Sequence, residues 1–255
     1  MSAALQLDDV AIRFGGVQAV GGVSFAVETG DFVGLIGPNG AGKTTLIRII
    51  AGLLRPDRGR VLLGGVDVTA EATAARVRRG LALTHQIVRP FREMTVLDNV
   101  ILGAGYRFTQ NPLRALLHAD RRQESERAAA ILAQVGLAGT ERKLAGSLPL
   151  GQMKRLEVAR ALAVDPKVIL LDEPLAGLNH TEATKQVETI AEVQRRGVTV
   201  VLVEHNLEEV MRICRRLIVL NNGQVIGDGE PRAVMADPVV HDAYVGGGME
   251  HHAEA

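Results

Sequence analysis

Residues 37–45 read Gly-Pro-Asn-Gly-Ala-Gly-Lys-Thr-Thr, a phosphate-binding loop. Gly37, Gly42, Lys43 and Thr44 fill the Walker A spacing. Glycines let the backbone curl until its N–H groups converge on phosphate oxygens. The Lys43 ammonium reaches the β- and γ-phosphates as a point charge, and the Thr44 hydroxyl can ligate Mg²⁺. Phe32-Val33-Gly34-Leu35-Ile36 before the loop reads as a buried strand, and residues 46–51 after it read as a helix stopped by Gly52. Strand, loop and helix in that order put phosphates at a helix N-terminus, where the dipole favours anions. The candidate phosphate contacts are Gly37, Pro38, Asn39, Gly40, Ala41, Gly42, Lys43, Thr44 and Thr45.

A second stretch supplies the acid. Leu170-Leu171-Asp172-Glu173-Pro174 is a buried strand ending in two carboxylates, the Walker B pattern. Asp172 is placed to hold Mg²⁺ through its water shell, and Glu173 to polarise the water that attacks the γ-phosphorus. Pro174 cannot continue a ladder, so the strand ends there. An apolar run ending in Asp-Glu usually only meets solvent; the phosphate loop elsewhere in the same chain gives this one its chemical meaning.

Composition agrees with such a core. Of 255 residues 47% are hydrophobic but only 3% aromatic, with no Trp, so Leu, Val, Ile and Ala must fill a parallel sheet under helices. Lys plus Arg and Asp plus Glu balance at 29 each, which argues against nucleic acid as a partner. A lone cysteine, Cys214, excludes an internal disulfide and suits a reducing compartment. No apolar run approaches the ~18 residues that span a bilayer, and the first residues carry no leader pattern, so a soluble intracellular protein is expected.

Residues 5–35 read as short antiparallel strands broken at Gly15-Gly16 and Gly21-Gly22, continued by Val61-Leu62-Leu63. Leu81–Thr84 reads as a strand ending at His85-Gln86. Asn111-Pro112 and Asp120 with Gln123 mark helix starts, the second helix running to about Val135. No strand signal falls between Leu102 and Val164. Strands return at 168–171, 198–203 and 217–220, with a helix over 182–196 and a hairpin at Asn221-Asn222-Gly223. The expected fold is α/β: a P-loop NTPase core with a mostly parallel sheet, an antiparallel β subdomain and an inserted helical subdomain. One domain spans 1–255, with the core in 1–101 and 164–245, the helical insert in 102–163 and a loose tail from 246 to 255.

Three further pieces specify a family. Leu148-Pro149-Leu150-Gly151-Gln152, with the helix that follows, resembles the signature motif of ABC-type ATPases. Residues 175–179 resemble their D-loop, Val203-Glu204-His205 their switch histidine, and Gln86 their Q-loop glutamine. Phe14 matches the aromatic residue that stacks on adenine. Arg13-Phe14-Gly15-Gly16, residues 91–96 and 176–179, and the ending at 240–246 resemble most closely the ATPase subunits of branched-chain amino acid importers. Lipopolysaccharide-export ATPases are near relatives in the same terms, and a soluble non-transport ABC ATPase is the reading from another class.

The resemblance implies an ATPase with ATP and Mg²⁺ as ligands. Glu173, His205, Gln86 and Lys43 would act at the γ-phosphate, and Thr44, Asp172 and Gln86 would attend the metal. Phe14 and the 37–45 loop would hold the nucleotide. Gly151 and Gln152 would act from the opposite subunit of a head-to-tail pair. It further implies integral membrane permease subunits as partners, a second ABC ATPase subunit, and a peripheral place on the cytoplasmic face of the inner membrane. Two departures stand out: Pro149 replaces the usual signature serine and Leu150 a glycine, and Asn179 stands where the D-loop commonly has aspartate.

Overall fold

The computed structural model describes residues 3–84, 90–105 and 122–246. The N-terminal strands β1 (Ala3–Phe14) and β2 (Val17–Glu28) form an antiparallel hairpin turning through Gly15. With β4 (Arg58–Leu63) and β5 (Val66–Asp67) they make a four-stranded sheet ordered β2-β1-β4-β5. Leu5, Leu7, Val10 and Ile12 of β1 face the core, the period-2 pattern of a half-covered sheet. Gly21-Gly22 does not break the strand as expected. It lies inside β2 at a shift of register, where Gly22 takes φ 87° and the Gly21 N–H donates to Gly223 O at 2.8 Å. A bulge, rather than a turn, absorbs the pair.

The second sheet is six-stranded, ordered β10-β9-β3-β8-β7-β6. Its strands are β3 (Phe32–Ile36), β6 (Leu81–Thr84), β7 (Val168–Asp172), β8 (Thr199–Val203), β9 (Arg216–Asn221) and β10 (Gln224–Gly229). Only β10 runs antiparallel, through the hairpin at Asn222 and Gly223, both with positive φ. β3 and β8 are buried along their whole lengths because both faces are covered. One face, with Val33, Leu35, Leu170 and Val201, meets α1 (Lys43–Ile50) and the antiparallel sheet. The other, with Phe32, Ile36, Ile169 and Leu202, meets the helical side of the molecule. That side contains α3 (Val96–Gly105), α4 (Arg122–Gln134) and α5 (Leu150–Ala163), which pack on one another. α6 (His180–Arg195) and α7 (Leu207–Ile213) lie against the sheet, and α8 (Pro231–Met235) and α9 (Pro238–Gly246) pack on β10.

Residue 111, residue 120 and the tail beyond 246 lie outside the described residues. α4 ends at Gln134, one residue before the expected boundary, and α6 begins at His180, two residues earlier than expected. The reason for the latter is the Asn179 cap described below.

An arginine missed in the sequence supports the phosphate-loop helix from below. Arg76, on α2 (Thr73–Arg78), is 1% exposed. Its guanidinium donates to Ile49 O (2.7 Å) and Ile50 O (2.8 Å) at the end of α1, and to Thr69 O (3.0 Å) and Glu71 O (3.1 Å). A fixed cation thus meets the negative end of the α1 dipole and its last carbonyls. The apolar neighbours of Arg76 in sequence gave no sign of it.

Candidate nucleotide-binding and catalytic site

Strand register assembles the site. Val203 pairs with Leu35 on one side and with Asp172 on the other. The carboxyl ends of β3, β8 and β7 therefore lie side by side, and the chain leaves them as the 37–45 loop, His205 and Glu173. Such a row of strand ends is where open α/β sheets bind ligands.

The loop itself demands glycine at two points. Gly37 has φ 148°, and a Cβ there would sit 2.0 Å from Leu220 O; Gly42 has φ 100°, and a Cβ would sit 2.4 Å from Ala19 O. Gly42 is the N-cap of α1 and accepts from the Leu46 N–H, so the free N–H groups of the first helical turn face the loop's concavity. Pro38 and Ala41 close the turn between them (N···O 3.2 Å). Lys43 is 6% exposed, and its ammonium donates to Gly37 O (2.7 Å) and Pro38 O (2.9 Å). Burial pulls its pKa down, and the nearby carboxylates of Glu173 and Asp172 push it back up. The two halves of the expected site thus act on one another electrostatically. Thr44 is exposed on the rim, and Tyr244 of α9 brings its hydroxyl to the Gly37 N–H, with burial pushing the phenol up to about 12.

Glu173 and His205 meet directly, Nε2 to Oε1 at 2.7 Å. Glu173 takes φ 49°, a left-handed backbone that costs a non-glycine residue about 1 kcal/mol or more. Its backbone is held on both sides: the N–H donates to Val203 O (2.9 Å), and the carbonyl accepts from Lys154 Nζ (3.1 Å) and the Ala176 N–H (3.2 Å). Lys154 belongs to α5 and is 4% exposed; its position on the same helical face as Gly151 and Val158 was the signal that it points inward. Glu204, also buried, accepts from the Leu175 and His205 N–H groups. Burial pushes its carboxyl up and those two N–H groups pull it down.

The signature stretch lies against the D-loop. Pro149 is the N-cap of α5 and no side chain caps that end. A Cβ on Gly151 would lie 3.0 Å from Glu182 Oε1, and one on Gly177 would lie 3.2 Å from Leu150 Cδ2. Asn179 caps α6: its Oδ1 accepts from the Glu182 N–H (2.9 Å), and Glu182 Oε2 accepts from the Asn179 N–H (3.3 Å), a complete capping box. Amide and carboxylate serve equally in that cap, so the departure at Asn179 leaves the helix start intact. Gln152 Oε1 is buried without a partner. Phe14, 49% exposed, stands at the tip of the β1–β2 hairpin, and Ala19 of that β2 touches Gly42. Gln86 lies outside the described residues.

A phosphate loop after the first strand of a parallel sheet, with an acidic strand end one strand beyond its neighbour, defines a P-loop nucleoside triphosphatase. Residues 20–176 match the ABC transporter family. The chain belongs to that family and is an ABC ATPase. It is 37% identical to the high-affinity branched-chain amino acid transport ATP-binding protein BraF of Pseudomonas aeruginosa, over 95% of this chain and 97% of BraF. To LivG of Escherichia coli, named for the same transport, it is 36% identical with the same coverage. The lipopolysaccharide export ATP-binding protein LptB of Acidithiobacillus ferridurans is 37% identical over 88% of this chain and 89% of its own. Among solved structures, an ATP-binding cassette of an ABC transporter in its ADP conformation superposes with TM-score 0.85 at 36% identity, covering 96% of this chain and 99% of that one. A dimeric ATP-binding cassette in a post-hydrolysis state, bound to ADP and Pi, gives TM-score 0.76 at 26% identity, covering 89% and 99%. Among the described residues no helix is long and apolar enough to cross a membrane.

Proposed function

We propose that this ABC ATPase powers uptake of branched-chain or related amino acids, working as one of a head-to-tail pair of nucleotide subunits on the cytoplasmic side of integral membrane permeases. The observation that carries the catalytic part is the 2.7 Å contact between Glu173 and His205, at strand ends beside the phosphate loop. ATP stacks its adenine on Phe14 and lays its phosphates along residues 37–45. Lys43 leaves the Gly37 and Pro38 carbonyls to meet the β- and γ-oxygens. Glu173 orients the attacking water and takes its proton, and His205 holds the carboxylate in place. Gly151 and Gln152 of the opposite subunit close over the γ-phosphate with N–H donors at the start of α5.

The donor set fits Mg²⁺. Thr44 and Asp172 offer hard oxygens, and among the described residues no group of three His, Cys, Asp or Glu side chains forms a cage. Mg²⁺ is characteristically held by one or two protein oxygens, with substrate phosphates and water completing the shell. When bound it would neutralise charge between the β- and γ-phosphates.

A cleft of about 700 Å³ between α2, α3, α5 and β6 supports the membrane partner. Phe91 stands half-exposed in it, with the Arg160 guanidinium 5.2 Å from its ring centre. The fully buried Asn99 fixes the Phe91 backbone through bonds of 2.9 and 3.0 Å. An apolar wall with Glu157 and Arg160 at its edge suits a short cytoplasmic helix of a permease. Amino acid uptake rests on likeness to BraF and LivG, and lipopolysaccharide export, favoured by the LptB likeness, is the second reading.

Glu173→Gln tests the catalytic assignment. The variant should keep ATP and lose turnover about 10²- to 10⁴-fold, the usual worth of a general base. Wild-type turnover would remove Glu173 from the reaction. In vesicles holding the permeases, ATP hydrolysis stimulated by leucine and its binding protein would support uptake; stimulation by lipopolysaccharide alone would replace it.

A further inference from the structure

We propose that Glu204 is a positioning residue for ATP hydrolysis: its carboxylate bridges the turn after Walker B to the His205 backbone and so sets how Glu173 and His205 meet. The inference rests on the reading of those two groups as catalytic, and the test below separates the two.

Glu204 follows directly on β8 and is 3% exposed. A carboxylate this deep needs partners, because desolvation of an unpaired one is costly. It has two, one on each oxygen. Oε1 accepts from the Leu175 N–H at 2.6 Å, and Oε2 accepts from the His205 N–H at 3.2 Å. Leu175 lies two residues past Glu173, and His205 is the next residue after Glu204. One side chain therefore spans the two loops whose own side chains touch at 2.7 Å. Lys154 completes the arrangement by donating to Glu173 O at 3.1 Å, so the left-handed backbone of Glu173 is tied to α5 as well as to β8.

The chemistry of the bridge selects its residue. It needs acceptors at both ends. Glutamine has one acceptor and would aim its NH₂ at an N–H group. Aspartate keeps both oxygens but is one methylene short. Among the described residues neither the Leu175 N–H nor the His205 N–H has another acceptor, so losing an oxygen leaves a buried or partly buried donor free to move the loop it belongs to. Small displacements of a catalytic pair cost rate more than they cost substrate binding.

The experiment uses the full chain with its membrane subunits, and reads kcat, KM and Kd for MgATP together with amide exchange. Glu204→Gln should lower kcat about 10- to 100-fold, the worth of one lost hydrogen bond to a charged group, with KM and Kd within about twofold of wild type. Exchange should rise at one of the two bridged amides, Leu175 or His205, and stay slow at the other. In a His205→Ala background the same substitution should add less than about threefold, since the residue acts through His205. Wild-type kcat in Glu204→Gln, or a full further loss in the double variant, overturns the proposal. Should Glu204→Gln fail to fold, Glu204→Asp decides: it must lose kcat similarly, and wild-type turnover refutes the bridge. If His205→Ala alone hydrolyses ATP normally, the catalytic reading of His205 fails instead, and the bridge has nothing to position.

Discussion

Replacing Arg76 by Met should loosen the whole molecule from beneath the phosphate loop. The side chain keeps its approximate length and loses every donor. Of the four carbonyls it serves, Thr69 O and Glu71 O are bonded through partly buried groups, so water replaces the guanidinium there. Ile49 O and Ile50 O are bonded in the interior; Ile49 O keeps the Gly52 N–H at 3.0 Å, and Ile50 O is left unpaired. One orphaned acceptor at about 1–3 kcal/mol and one lost hydrogen bond at about 0.5–1.5 kcal/mol set the scale, and losing the cation at the α1 C-terminus adds about 0.3–1 kcal/mol. The expected loss is about 3 kcal/mol, against a total of about 5–15 kcal/mol for a folded protein. For a domain of this size that lowers Tm by roughly 6–12 °C. Thermal and urea melts followed by circular dichroism measure it. Burial holds the Arg76 pKa down, yet the group stays charged throughout the accessible range, so the loss should be nearly independent of pH between 6 and 9. A destabilisation below about 1 kcal/mol would refute the reasoning, because it would mean that the α1 carbonyls find other partners at no cost.

Lys43→Ala should weaken ATP binding about 10- to 100-fold while leaving the melt nearly unchanged, since its present partners are only loop carbonyls; unaltered affinity in a fluorescent-nucleotide titration would contradict the phosphate-loop assignment. Asn179→Ala removes the side-chain half of the α6 capping box and should cost about 1 kcal/mol, whereas Asn179→Asp should cost nothing measurable in the same urea melt. Burial pushes the Cys214 thiol from 9.0 up to about 12, so at pH 8 it should resist a chromogenic disulfide until denaturant is added. The folded pKa is the higher one: this contribution to stability is whole below pH 9 and fades as pH rises towards 12, which melts across that interval will show.

Much of the fold is legible locally. β3, the loop and α1 can be read from an apolar run, a glycine spacing and a second apolar run, because each element's pattern lies within its own residues. The same holds for β7 with its acidic end, and for the Asn222-Gly223 hairpin. Gly21-Gly22 misled because a glycine pair signals either a turn or a bulge, and the distinction is made by Gly223, two hundred residues away.

By itself the chain's order of residues determined which groups carry the chemistry: the loop glycines, Lys43, the acidic pair and His205, since their types and spacing are chemical requirements that hold within a few residues. Tertiary structure decided which of them touch and what holds them there. Leu35, Val203 and Asp172 become neighbours only when β8 slides between β3 and β7. Lys154, Glu204 and Arg76 acquire their functions only from backbone groups that packing brings to them. A buried charge is specified by the partners that surround it in space, and linear spacing does not encode those partners.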